Sequence, residues 1–262
     1  MPRKLLSLLF WTYITFSCAT LFVGACVLWL FTFWWDTRRR WLHLYSGAWG
    51  YHYVMLWPSF SLTWEGREHL TNEPVVYVCN HQSFADILVL YGTFSHFKWV
   101  SKAEIFKVPF IGWNMRLNRY VRLRRGDSDS ASQMMNDCRQ HLREGSSVFL
   151  FPEGTRTKDG ALRPFKNGAF QLAVEMNVPV VPMALNGTRE VLPTQGFVIR
   201  NVRLNGKVRV LPAVHPDDCG GDVQVLKNRT RAAIQTALDD IRGPLVIADA
   251  QEQPEASPRL LR

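Results

Sequence analysis

The sequence predicts an α/β fold with a mostly parallel central sheet flanked by helices, preceded by an N-terminal hydrophobic helical hairpin for membrane attachment. Three observations predict it. Between Lys4 and Asp36 lie 31 consecutive uncharged residues, 24 of them apolar and none of them proline. Eight of the ten tryptophans fall in residues 1–64, a segment that holds only six of the 53 charged residues. From residue 65 onward, short β-branched and aromatic runs alternate with helical patterns, as in a parallel sheet covered by helices.

The first apolar run exceeds the roughly 20 residues that a membrane-spanning helix needs. Arg3 and Lys4 precede it and Arg38, Arg39 and Arg40 follow it, so the three-arginine flank marks the cytoplasmic side. Trp41 to Trp64 is likewise free of Asp, Glu, Lys and Arg, although Pro58 interrupts it. The two stretches read as a hairpin turning at Asp36 to Arg40. Trp34, Trp35, Trp41, Trp49 and Trp57 would place their indoles at the head-group level. The pattern fits a hairpin lying in one leaflet as well as one that crosses. A secretory signal fits poorly, because the run is about twice the usual 7–15-residue core. Val23-Gly24-Ala25-Cys26 resembles a lipoprotein processing box, but the apolar run continues beyond it to Trp35. The expected organisation is therefore a membrane-embedded hairpin over 1–64, an α/β domain over 65–247 and a disordered tail over 248–262.

In the α/β part, Val75–Cys79, Tyr120–Leu123, Val148–Phe151, Val178–Leu185 and Val208–Leu211 carry the residue bias of strands. Ala131, Met134, Met135, Cys138 and Leu142 recur at helical spacing after the caps Asp129 and Ser130 and before Gly145. A second helix runs from about Val223 to Ile241, with Asp222 as N-cap and Gly243-Pro244 as its stop.

A net charge of +9 calls for anionic partners. The apolar N-terminus selects membrane lipid over nucleic acid, for which no aromatic-basic motif or basic recognition helix is evident. Five scattered cysteines without a Cys-x-x-Cys pair indicate neither a disulfide framework nor a zinc site, and suit a reducing, cytosolic side.

Two clusters carry the chemistry. Asn80-His81-Gln82-Ser83-Phe84-Ala85-Asp86 follows the strand ending at Cys79, and strand ends are where α/β sheets bind ligands. With His81 in the loop and Asp86 in a first helical turn, the carboxylate reaches back to the imidazole. It then fixes the tautomer and leaves the other ring nitrogen as a general base. The bland alternative is a solvated histidine before an ordinary helix start. Phe151-Pro152-Glu153-Gly154-Thr155-Arg156 follows the strand Val148–Phe151. Gly154 permits close backbone approach, Thr155 and the amides offer donors, and Arg156 supplies a fork suited to phosphate. Glu153 can orient the arginine or a substrate hydroxyl.

In this order and spacing, the two motifs resemble the glycerolipid acyltransferase family, most closely the lysophosphatidic acid acyltransferases. Also matching are Ser101-Lys102-Ala103-Glu104-Ile105-Phe106, Pro109-Phe110-Ile111-Gly112-Trp113, the basic block Tyr120 to Arg125, and Val178-Pro179-Val180-Val181-Pro182-Met183-Ala184. The resemblance spans roughly residues 60–215. It implies transfer of an acyl group from acyl-CoA or acyl-carrier protein to the sn-2 hydroxyl of lysophosphatidic acid, with no metal or other cofactor. His81 and Asp86 are the implied base pair. Lys102 and Arg156 would hold the acceptor phosphate, Glu153, Gly154 and Thr155 would shape its pocket, and Arg122 and Arg125 are further phosphate candidates. The implied location is a membrane, with the site on the cytoplasmic side, the inner membrane in a bacterium. Where the family commonly has an acidic or small polar residue before the last arginine of the basic block, this chain has Arg124. That extra cation bears on head-group choice, so another lysophospholipid or a lyso-aminolipid is the alternative acceptor. Two other readings compete: a hydrolase using Ser83 as nucleophile, and a catalytically silent binding protein with a basic surface.

Overall fold

The computed structural model describes residues 3–57, 60–157, 159–189 and 204–242. Two helices open the chain, α1 (Arg3–Thr32) and α2 (Arg40–Met55). Seven strands follow: β1 (Phe60–Glu65), β2 (Val76–Cys79), β3 (Phe97–Lys102), β4 (Val121–Leu123), β5 (Ser147–Leu150), β6 (Val180–Asn186) and β7 (Leu204–Val210). Helices α3 (Ala85–Leu90), α4 (Ile111–Leu117), α5 (Ser128–Arg143), α6 (Gly168–Met176) and α7 (Val223–Ile241) cover them.

One sheet orders the strands β1-β7-β6-β2-β5-β3-β4, with every pairing parallel except β6 with β7. β2 is central. Val76 and Val78 face one way, into a core shared with Cys138, Phe170 and Leu238, while Tyr77 and Cys79 face the other, toward Leu90, Phe97 and Val54. A strand buried on both faces reads as a continuous apolar run, which is why Val75–Cys79 is legible in sequence. β3 is less legible because Lys98 and Lys102 interrupt it, although Lys98 is fully buried. The sequence reading also passes over α4 and α6.

Ser7–Thr32 of α1 is long and apolar enough to cross a membrane, with a mean hydropathy of 2.1, and little of it is buried against the rest of the chain. Leu8, Phe16, Val23, Phe31, Trp34, Trp35 and Trp41 remain exposed. The second arm differs from expectation. Trp41–Trp64 is helical only to Met55, and its remainder supplies β1, so the sheet starts before residue 65. Trp49 is not a lipid-facing indole: it is buried, and its Nε1 donates to the Tyr53 hydroxyl at 3.1 Å. Gly47 and Gly50 let α2 lie against Tyr91, whose ring is 2.6 Å from where a Cβ on Gly50 would stand.

Two caps can be compared with the sequence. Asp222 caps α7, accepting from the Gln224 and Val225 amides at 2.6 and 3.0 Å. The cap of α5 is Asp127, which accepts from the Ser130 amide at 2.9 Å and lies just ahead of the expected Asp129 and Ser130. Pro58, the Gly243-Pro244 stop and the 248–262 tail lie outside the described residues.

Candidate active site

Parallel pairing brings the two motifs together. Val78 of β2 stands opposite Leu150 of β5, so the loops after both strands leave the same edge of the sheet side by side. β6 flanks β2 on its other side, and β3 and β4 continue beyond β5. Residues after five neighbouring strand ends therefore converge.

Asn80 pins the first loop. Its Nδ2 donates to the Leu185 carbonyl and its Oδ1 accepts from the Leu185 amide, both at 2.8 Å. Asp86 lies in the first turn of α3, fully buried, with Oδ2 2.7 Å from His81 Nδ1. The same oxygen accepts from the Gln82 and Ser83 amides at 2.6 and 2.9 Å, and Oδ1 accepts from the Thr188 hydroxyl. An acceptor surrounded by donors is an ionised carboxylate, so Nδ1 carries the imidazole proton and Nε2 is left as a base. Phe151 holds the ring flat, stacked at 3.9 Å between centroids and 14° between planes, with Trp99 stacked on Phe151 in turn. Thr188 and the Phe151 stack have no signal in the sequence, since each depends on the chain returning from a distant strand.

Both oxygens of Glu153 are engaged by backbone amides rather than by an arginine side chain. Its Oε1 accepts from the His81 amide at 2.7 Å and its Oε2 from the Arg163 amide at 2.9 Å, and the side chain is buried. Burial pushes its carboxyl above the usual range, while the two amides and the nearby His81 and Arg163 pull the other way. It acts as a strut between the loops, helped by the Thr157 amide donating to the His81 carbonyl at 2.9 Å.

His81 lines a cavity of about 640 Å³, within the size range of small-molecule sites. One wall is apolar and comes from Phe10, Trp11 and Ile14 of α1, Trp49 and Tyr53 of α2, and Ile111 of α4. Lys102, Arg124, Arg125 and Lys166 supply its cations. Lys102 has Glu104 at 3.4 Å and Arg124 has Asp127 at 3.1 Å. Gly154 lines the cavity with φ of +70°, and a Cβ there would meet the Lys166 side chain at 2.9 Å. Arg156 is exposed, Thr155 is half-buried, and Arg122 lies 5.8 Å over the Phe106 ring; these three do not line the cavity. Nor does Ser83, whose buried oxygen accepts from the Ala85 amide, which removes the geometric basis for a serine nucleophile.

Comparison with known proteins agrees with this architecture. Residues 61–186 match the family model described as Acyltransferase. The chain is 40% identical over 204 residues to the chloroplastic 1-acyl-sn-glycerol-3-phosphate acyltransferase of Arabidopsis thaliana, covering 77% of this chain and 55% of that protein. It is 30% identical over 180 residues to the 1-acyl-sn-glycerol-3-phosphate acyltransferase of Pseudomonas aeruginosa, covering 67% of this chain and 68% of that one. The chain thus spans little more than half the length of the plant relatives. The crystal structure of the 1-acyl-sn-glycerophosphate acyltransferase from Thermotoga maritima shares the fold, with a TM-score of 0.76 at 23% identity over 92% of this chain and 98% of that one. The fold, the pairing of the two motifs at one sheet edge and the two-thirds coverage of the Pseudomonas protein together place the chain in the acyltransferase family that these 1-acyl-sn-glycerol-3-phosphate acyltransferases represent.

Proposed function

We propose that the chain moves a fatty acyl group from an acyl thioester to the free sn-2 hydroxyl of lysophosphatidic acid, at a membrane surface facing the cytoplasm. The observation that carries this reading is the His81–Asp86 pair at 2.7 Å opening into a cavity that is apolar on its α1–α2 side and cationic at Lys102, Arg124, Arg125 and Lys166. That division suits a molecule with an acyl chain at one end and a phosphate at the other. The relatives' names supply the acceptor and the product class.

In the mechanism, Nε2 of His81 removes the hydroxyl proton as the oxygen attacks the thioester carbonyl. Asp86 stabilises the imidazolium that forms. Collapse of the tetrahedral adduct breaks the C–S bond, and the leaving sulfur takes the proton back from Nε2. The new ester and a free thiol balance the reaction without a covalent enzyme intermediate. Lys102 and Arg125 hold the acceptor phosphate, and the exposed Arg156 serves as an outer cation that guides it in. Because α1 itself forms part of the cavity wall, a lysolipid can enter without its chain passing through water, which costs about 0.8 kcal/mol per CH₂.

Membranes containing the protein, given lysophosphatidate with acyl-CoA or acyl-carrier thioester, should release thiol and form phosphatidate. Failure to consume either thioester with any lysolipid in a panel overturns the reading. Esterification of a lyso-aminolipid or another lysophospholipid in preference to lysophosphatidate moves the acceptor, and comparison with Arg156→Ala shows how far that residue reads phosphate.

A further inference from the structure

α4 presents its two sides to two different spaces. Ile111, Asn114 and Met115 line the cavity that holds His81. Trp113, Arg116 and Leu117, on the opposite side of the same helix, line an open groove of about 480 Å³ whose other wall is Cys26, Trp29 and Leu30 of α1. Spacings of three and four residues keep those α1 side chains on one stripe. Aromatic rings close one end of the groove: Phe22 of α1 lies 6.0 Å from Phe110 and 5.5 Å from Trp113. Phe110 reaches that place through a γ-turn, with φ of +59° and the Ile111 amide donating to the Pro109 carbonyl at 2.6 Å. A positive φ at a phenylalanine is strained, and it persists where the surrounding packing holds it.

Two observations say what fills the groove. Its apolar walls continue the lipid-facing part of the chain: Leu30 and Trp113 are exposed, and Leu30 belongs to the segment of α1 that is apolar enough to cross a membrane. At the other end from Phe22 the groove is cationic. The Arg116 side chain is exposed and makes no hydrogen bond or ion pair with any described residue, and the Arg39 guanidinium lies 5.9 Å over the Trp29 ring. Two carboxylates stand near the hairpin turn and both are engaged elsewhere. Asp36 accepts from the Arg40 and Trp41 amides at 2.7 and 3.0 Å, and Glu144 pairs with Arg119 at 3.2 Å. An apolar trough that ends at an unpaired guanidinium matches a molecule with a hydrocarbon chain and an anionic head.

We propose that the groove between α1 and α4 is a binding site for one anionic phospholipid of the bilayer, with its chain between Trp29 and Trp113 and its phosphate at Arg116. This rests on the membrane attachment proposed above and not on acyl transfer. The site is separate from the one at His81, because the groove and the cavity share no lining residue and α4 stands between them. A chain seated there covers Leu30 and Trp113 and gives α4 a packed outer side, so this wall of the cavity is supported from both faces.

The test uses the full-length protein in phosphatidylcholine vesicles that carry a trace of phosphatidylglycerol with a photoactivatable diazirine in one acyl chain, compared with the same label on phosphatidylcholine. After irradiation, labelled peptides are quantified by mass spectrometry. The anionic probe should label Cys26–Leu30 and Trp113–Leu117 about fivefold more than the zwitterionic one, equivalent to about 1 kcal/mol from one cation near a membrane surface. Phe16 and Val23, exposed on α1 outside the groove, should take both probes alike. Arg116→Gln should bring the groove ratio down to that of Phe16, and Arg116→Lys should keep it. Equal labelling by both probes in wild type, or a ratio unchanged in Arg116→Gln, overturns the site. So does crosslinking of α4 to a second copy of the chain in place of lipid. The wild-type comparison decides the matter by itself should Arg116→Gln not fold. Turnover is not read, so a failure of acyl transfer leaves the result intact, whereas protein that does not float with the vesicles overturns membrane attachment and the site together.

Discussion

Two buried polar regions of this molecule are built on opposite plans. At the His81 corner, carboxylates collect backbone amides: Asp86 takes those of Gln82 and Ser83, and Glu153 takes those of His81 and Arg163. At the seat of the hairpin, side chains meet side chains and carbonyls across long sequence distances. Ser46 of α2 accepts from Asn114 and Asn118, both at 3.0 Å. His43 meets the Tyr120 hydroxyl at 2.8 Å, and Lys98 Nζ donates to the carbonyls of Arg38 and Asn118, both at 2.7 Å. Amides on a rigid loop fix one side chain tightly, which suits the base proposed for His81. A side-chain network fixes one element against another, which suits a helix docking on a sheet.

The largest predicted effect breaks the first plan at its centre. His81→Ala should lower kcat by about 10²- to 10⁴-fold, the usual worth of a general base, with the protein still folded. Asp86→Asn should approach the same loss, because even with the amide oxygen in the place of Oδ2 a neutral side chain cannot stabilise the imidazolium as the carboxylate does. Thioester-consumption assays check both. Residual activity within tenfold of wild type in His81→Ala would remove His81 as the base.

Next in size is the strut. Glu153→Gln keeps the shape but offers one oxygen where two amides need acceptors, so it should cost about 1–3 kcal/mol of stability. Thermal unfolding in detergent measures it. A variant as stable as wild type would mean that Glu153 is not the tie between the loops.

These two carboxylates also show what the sequence can and cannot disclose. Asp86 was legible because a carboxylate in the first turn of a helix, five positions after a strand-end histidine, can reach back to it, a local relation that spacing encodes. The role of Glu153 was not, because its partners are amides 72 residues before it and 10 after it, and an amide has no residue-type signature. The seat was wholly illegible: Lys98 and Arg38 are 60 positions apart, and a lysine in a strand weakens the very pattern that marks strands. The tryptophans misled in one respect. Counting them locates the apolar end of the chain, but Trp49 and Trp64 serve packing, the latter under the Arg67 guanidinium at 4.4 Å. Which face an indole takes is set by tertiary contacts that composition does not contain.

The seat gives a pH-dependent prediction. Burial, and after it the charge of Arg119, pushes the Lys98 amine down from its ordinary 10.5 to about 7, with Asp36 and Glu144 opposing the shift. Its two carbonyl partners match the two hydrogens of a neutral amine. Between about pH 7 and 10.5 the unfolded chain binds the proton that the folded chain lacks, so stability should rise with pH across that window and gain nothing further outside it. The slope for one proton is at most about 1.4 kcal/mol per pH unit. Nearby His96 and His141 do not blur the window, since burial holds them at about 2 and about 4. Unfolding temperatures from pH 7 to about 8.5, below the range where the raised thiols of Cys79 and Cys138 act with the opposite sign, should climb in wild type and flatten in Lys98→Met. A wild-type profile that falls over this range would show that Lys98 is buried as an ammonium.

The smallest effect sharpens the contrast by asking how much the His81 corner owes to packing rather than to hydrogen bonds. The Phe151 ring takes no part in the hydrogen bonds to Asp86; it covers one face of the imidazole. Phe151→Leu keeps an apolar side chain there but loses the flat surface. All four hydrogen bonds to Asp86 survive, so the tautomer is unchanged and only the tilt of the ring is freed. Aromatic pairs of this kind contribute about 0.5–1.5 kcal/mol, which corresponds to a fall in kcat of roughly two- to tenfold with KM unaltered. Phe151→Tyr, which retains the stacked face, should lose less. If Phe151→Leu were as inactive as His81→Ala, the hydrogen bonds alone would not hold the base in place, and the corner would depend on side-chain packing as much as the hairpin seat does.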